Sequence, residues 1–120
     1  MTNELPDVAS LLPLPPVTFH VLIALADRDL HGYAIIREVR ERTGGKVRLG
    51  AGTLYRSIQR MLEQGLIVEV RERPSPELDD QRRRYYRIAP FGTEVARAET
   101  RRLGQMVEMA RARGFATESA

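Results

Sequence analysis

The segment LGAGTLYRSIQRMLEQGLIVEV, residues 49–70, decides the fold. Leu54, Ile58, Met61 and Leu62 recur at helical spacing, which predicts a helix starting near Gly50 to Gly52 and ending at Gln64. Gly65 follows as its cap. Beyond it the period changes to two. Leu66, Val68 and Val70 alternate with Ile67, Glu69 and Arg71, the pattern of a half-buried strand. The other side of the helix carries Thr53, Arg56, Ser57, Gln59 and Arg60, a set of donors with no acid among them.

Downstream, Pro74-Ser75-Pro76 breaks the strand, and the acidic stretch from Glu77 to Asp80 belongs to a solvated loop. Arg82 to Ala89 alternates again, with Arg84, Tyr86 and Ile88 on one side, so the two strands make a hairpin, or wing. Arg84 is placed to pair with Glu69 or Glu72 across it. Pro90 opens a last helix reaching about Arg113, where Gly114 ends it. Its apolar side (Val95, Ala98, Leu103, Met106, Val107, Ala110) follows a complete small domain and has little left to cover within one subunit. A second subunit is the natural partner.

Upstream, a helix from about His31 to Thr43 has Tyr33, Ile35, Ile36 and Val39 as its inner face, and Gly44-Gly45 ends it. Lys46 to Leu49 reads as a short edge strand. A first helix begins around Pro15–Pro16, buries Phe19, Leu22, Ile23 and Ala26, and stops at Asp27-Arg28-Asp29. His31 reads as a capping or turn residue. Residues 1–13 read as a flexible arm, with Leu11 and Leu12 able to dock on a partner subunit. The fold class is thus mainly α with a small β-hairpin: a winged helix-turn-helix over residues 14–89, a dimerisation helix over 90–114 and a tail over 115–120.

A chain of 120 residues suits a single domain. It has no cysteine, which removes disulfides and thiolate chemistry. The first ten residues lack an export pattern and no apolar run is long enough to span a membrane, so a cytoplasmic, membrane-free protein is expected. Net charge is +3 and the sequence pI about 9.8, but the distribution says more. From Thr43 to Leu62 there is no acid, while Lys46, Arg48, Arg56 and Arg60 fall inside that stretch. From Gln81 to Ala89 there are four arginines and again no acid. Such segregation makes one basic face, the footprint of a nucleic-acid binder. Catalysis has no support. His20 and His31 lack metal-ligand spacing, Ser10, Ser57, Ser75 and Ser119 lack a nucleophile's partners, and no cofactor is called for.

In three blocks the sequence resembles the PadR-type bacterial transcriptional regulators: LLPLPPVTFHVLIAL into HGYAIIREV, then LGAGTLYRSIQRMLEQGLIVEV, then RRRYYRIAPFG. The resemblance runs from Leu11 to about Gly114, in its short form with one C-terminal helix. It implies a homodimeric repressor of a nearby gene that binds a palindromic double-stranded operator and releases it on binding a small aromatic effector. It also implies that Tyr55 and its neighbours contact DNA; Tyr55 lies beside the Leu54/Ile58 stripe, so packing suits it as well. Some relatives hold flat drugs between tryptophans, and this chain has no tryptophan.

On a helix in the major groove the N-terminal residues meet base edges first, which selects Thr53, Arg56 and Ser57. Arg56 can chelate guanine, worth about 1–3 kcal/mol of discrimination, or bind a phosphate. Gln59, Arg60, Lys46 and the wing residues Arg82 and Arg83 suit the backbone. Leu11, Leu12, Val95, Leu103, Met106, Val107 and Ala110 are the expected dimer contacts, and Leu14, Phe19, Met106 and Met109 the candidate lining of an effector pocket near the dimer axis. The competing reading, a winged helix used only for protein–protein contact, predicts an acidic or apolar face on the third helix, which this sequence lacks.

Overall fold

A computed structural model of the chain describes residues 5–70 and 84–116. Four helices, α1 (Pro16–Ala24), α2 (Gly32–Arg42), α3 (Ala51–Gln64) and α4 (Pro90–Ala112), surround one core. Three short strands, β1 (Leu30–His31), β2 (Ile67–Val70) and β3 (Tyr85–Ile88), form an antiparallel sheet in the order β1-β3-β2. Ile67 lies opposite Ile88 and Val70 opposite Tyr85, so β2 and β3 are the paired stems of the wing. This is the expected mainly α winged architecture. The central position of β3 is new, because β1 is only two residues long and leaves no periodicity to read.

Helix α1 begins with Pro16 at its first turn, but its inner face is not the expected one. Thr18, Val21, Leu22, Ala24 and Leu25 are buried, Phe19 is half-buried, and Ile23 and Ala26 are exposed. PVTFHVLIA is apolar on nearly every side, so spacing alone could not choose the core-facing stripe. In α2 the inward residues are Ile35 and Val39, whereas Tyr33, also expected inside, is 66% exposed. His31 caps this helix, its Nδ1 accepting from the Ala34 amide at 3.2 Å.

No strand forms over Lys46–Leu49. Thr43 Oγ1 donates to the Val39 carbonyl at 2.9 Å and accepts from the Val47 amide at 3.0 Å, so the turn is held by a side chain rather than a ladder. Helix α3 fits expectation: Leu54, Ile58 and Met61 are buried, and Gly65 caps it at φ +79°. The Leu66 amide donates to the Met61 carbonyl at 3.0 Å, the closing bond of a Schellman-type end. In β2 the inward residue is Ile67 rather than Val68, which is 45% exposed.

Helix α4 does two things. Phe91, Gly92, Val95 and Glu99 are buried in the same core as the other helices. Gly92 sits so close to β2 that an added Cβ would lie 2.1 Å from the Leu66 carbonyl oxygen. Glu99, 2% exposed, accepts the Leu14 amide at 3.1 Å and two Arg102 nitrogens at 2.6 and 2.9 Å. The hydrogen bonds from Arg102 hold this carboxyl below the usual carboxylate range, against the opposing effect of burial and with help from the Leu14 amide. Within the expected arm, Val8–Leu11 form a 3₁₀ helix, and Val8, Leu11 and Leu12 pack against the chain's own core. No helix among the described residues is long and apolar enough to cross a membrane.

Candidate nucleic-acid interface

Burial of Leu54, Ile58 and Met61 fixes which side of α3 faces out. Thr53, Arg56, Gln59 and Arg60 are exposed and Ser57 is half-buried. Arg56 Nη2 lies 3.4 Å from Thr53 Oγ1, bringing the guanidinium over the start of its own helix. Gln59 donates to Glu63 at 3.4 Å, so the one acid of the helix engages an amide one turn before it. Gly50 is the N-cap and no side chain bonds the first-turn amides, which leaves a positive helix end open to an anion. Lys46 is exposed in the preceding loop. Four of the expected DNA contacts on α3 thus share one solvent face.

Tyr55 is differently placed. It is 42% exposed, and its ring end is seated on Gly32, where an added Cβ would lie 2.0 Å from the hydroxyl oxygen. Packing therefore holds this side chain. Beside it runs a groove of about 620 Å³ between α3, the start of α2 and the wing stems, with Tyr33 and Arg84 among its lining residues. Tyr86 forms a buried wall, and its phenol is pushed up by burial, with Glu69 adding to the effect. Arg84 pairs with Glu69 at 3.7 Å, one of the two cross-hairpin partners expected from sequence. Arg87 makes a bidentate pair with Asp29 at 3.0 and 2.9 Å and ties β3 to the turn after α1. Arg82 and Arg83, with Glu72 and the acidic loop, lie outside the described residues. Sequence reasoning missed Tyr33 as a surface residue, since an aromatic at helical spacing reads as core.

The expected dimer residues separate. Val95 is fully buried in the chain's own core and is not available to a partner, which corrects that assignment. Leu11 and Leu12 are half-buried on the chain's own core. Leu103, Met106 and Val107 are 37, 52 and 48% exposed, and Ala110 is half-buried. Phe115, 72% exposed beyond the helix, extends the same apolar run and was missed. The effector-pocket residues, expected to meet near a dimer axis, stand apart within the single chain. Leu14 is buried in the core, Met106 and Met109 lie exposed far along α4, and Phe19 lines a different hollow. That hollow, about 520 Å³, lies between α1 and α4 and includes Ile23, Ala26, Ile88, Ala96 and Thr100.

The transcriptional regulator PadR-like family model matches residues 21–98. Among curated proteins, a transcriptional regulator of Mycobacterium tuberculosis is 31% identical over 90 residues, covering 75% of this chain and 78% of that protein. An uncharacterized protein in a transposon of Streptomyces fradiae is 35% identical over 100 residues, 83% of this chain; the match spans 25% of that protein's length. Among solved structures, a PadR family transcription regulator from Clostridium difficile superposes with TM-score 0.69 at 23% identity, over 82% of this chain and 97% of that one. PadR of Bacillus subtilis in complex with operator DNA gives TM-score 0.59 at 17% identity, over 70% and 47%.

Proposed function

Because the chain belongs to the PadR-like family of transcriptional regulators, we propose that it is a sequence-specific repressor that binds a palindromic operator as a homodimer. One observation carries the reading. Helix α3 buries Leu54, Ile58 and Met61 and turns Thr53, Arg56 and Arg60 outward from an uncapped N-terminus. This presents donors and positive charge to the floor and edges of a major groove. Residues 14–89 form the reading head, with Lys46, Arg82 and Arg83 on the backbone and Ser57 and Gln59 at the margins of the α3 contact. The likeness to a regulator solved with operator DNA supports the same docking.

Dimerisation falls to the part of α4 that its own chain leaves uncovered, around Leu103, Met106, Val107 and Ala110. The apolar hollow between α1 and α4 offers this stripe a seat on the second copy. A small aromatic effector, held where the two copies meet and beside Phe19, would act by changing how they are set. Cytoplasmic residence follows from the same role.

The test begins with selection of binding sites from random DNA, followed by Arg56→Ala on the selected site and on random duplex. A base contact predicts a larger loss on the selected site, by about 1–3 kcal/mol; equal losses would leave Arg56 on phosphate. Half-sites should lie roughly 34–36 Å apart, and inserting about five base pairs between them should abolish dimeric binding. Met106→Glu should turn a dimer into monomer in sedimentation equilibrium. Binding indifferent to all three changes would reduce the protein to a nonspecific cation.

A further inference from the structure

Tyr86 is 4% exposed, and its hydroxyl makes no hydrogen bond among the described residues. Buried polar groups are nearly always paired, because a hydroxyl taken out of water without a partner is costly. The groups that act electrostatically on this oxygen are Glu69, Tyr55 and Arg84, and all three line the groove of about 620 Å³ beside α3. The hydroxyl therefore stands on the inner wall of that groove. Burial keeps it protonated, with Glu69 adding to the effect, so it is a donor.

The charges beside it select the occupant. Glu69 lies opposite Tyr86 in the ladder and Arg84 stands two residues before it, so all three share one face of the sheet. Arg84 and Glu69 are 3.7 Å apart with side chains 68% and 39% exposed, a loose surface pair that costs little to open. An anion alone would meet Glu69, and a cation alone would meet Arg84. A molecule with both charges gives each side chain a new partner of the sign it loses, a carboxylate for the guanidinium and an ammonium for the carboxylate. Ile58 and Leu62, with the rings of Tyr33 and Tyr55, offer apolar surface to the remainder of such a molecule.

We infer that this groove is a binding site for a small zwitterion, an α-amino acid with an apolar or aromatic side chain. Its carboxylate takes the Arg84 guanidinium and the Tyr86 hydroxyl, its ammonium takes Glu69, and its side chain lies over Ile58 and Leu62. An α-amino acid carries both charges on one carbon, a spacing that two side chains 3.7 Å apart can straddle. Tyr86 then donates the hydrogen bond that the chain itself does not take. Tyr55, seated on Gly32, supplies a fixed wall. All the lining residues belong to one chain, so the site is complete in each copy and separate from the hollow between α1 and α4. Tyr55 and Gln59 belong to α3 and Glu69 and Tyr86 to the wing stems, so the occupant bridges helix and wing.

The experiment titrates probes of one size into the full chain without DNA: L-phenylalanine, 3-phenylpropionate, which lacks the ammonium, and phenethylamine, which lacks the carboxylate. Calorimetry should show L-phenylalanine binding more tightly than either analogue by about 10-fold or more. Glu69→Gln and Arg84→Gln should each weaken it by about 10-fold or more, and Tyr86→Phe by about 2- to 10-fold. Without ligand, Tyr86→Phe should melt no lower than wild type, because its hydroxyl has no partner to lose. A fall in Tm would give that hydroxyl a partner inside the chain and overturn the inference. Equal binding of the probes, no binding of L-phenylalanine or L-leucine at millimolar concentration, or a Tyr86→Phe variant that binds L-phenylalanine as wild type does would each overturn it as well. None of these results bears on the functional reading, which is tested on DNA with no ligand present.

Discussion

The two halves of α4 have much the same composition and opposite surroundings. From Pro90 to Glu99 the helix is built into the core: Phe91, Gly92, Val95 and Glu99 are buried. From Leu103 onward Leu103, Met106, Val107 and Met109 stand in solvent at comparable density along the chain. The difference teaches where one chain's own core ends. An apolar stripe records that something is covered, and it does not record whose surface does the covering.

Two glycines in this one helix make the contrast measurable. Gly92→Ala is expected to have the largest effect, because the new methyl would lie 2.1 Å from the Leu66 carbonyl oxygen, which is backbone and cannot swing aside. A loss of about 3 kcal/mol in chemical unfolding is expected. Val95→Ala, at a fully buried position, should cost about 2 kcal/mol at every protein concentration. Concentration-dependent loss there would return Val95 to the dimer interface and break the comparison.

Glu99 marks the boundary between the halves, and Glu99→Gln should cost about 1–3 kcal/mol at neutral pH. Its carboxyl titrates below the ordinary range in the folded protein, held mainly by hydrogen bonds from Arg102. The carboxylate's stabilisation is therefore fully present above the unfolded value of about 4.3 and is lost as pH falls through the lower folded value. Wild type should lose stability through that acid window more steeply than the variant, in thermal melts taken across it. Parallel melting curves would remove the pair from the account. The smallest effect belongs to Gly104, where an added Cβ meets nothing within 4 Å. Gly104→Ala should be neutral or stabilising by up to about 1 kcal/mol. A loss as large as at Gly92 would show another backbone lying against the outer half.

Much of this was legible beforehand where two signals agreed. The α3 stripe together with Gly65 located the helix and its exit, and alternation with the sign of the charges narrowed the partner of Arg84 to Glu69 or Glu72, of which the fold takes Glu69. Pro90 located the start of α4. Legibility failed where one signal stood alone. Helix α1 is apolar around most of its circumference, so several stripes fit equally well. Tyr33 counted as core by type, although a tyrosine has a polar end that favours the surface. Glu99 is invisible as a buried group because its partners, the Leu14 amide and Arg102, come together only in the fold. Val95 and Met106 are indistinguishable in a helical pattern, and only packing assigns one to its own chain.

The contact of Gly92 with Leu66 has a mechanical consequence. Leu66 directly follows the Gly65 cap of α3, so the first turn of α4 rests on the residue just past the end of α3, backbone against side-chain-free backbone. Farther along, Arg102 grips buried Glu99 and also lies 3.2 Å from Met106 Sδ. From Glu99 to Ala112 the helix runs on for about 20 Å without a break. With no side chain between the start of α4 and the exit of α3, a tilt of the rod would be passed towards α3 rather than taken up at that contact. In a dimer joined through the outer halves, the angle at which the two rods cross would set the distance between the two α3 helices, and so the spacing of half-sites the pair can span.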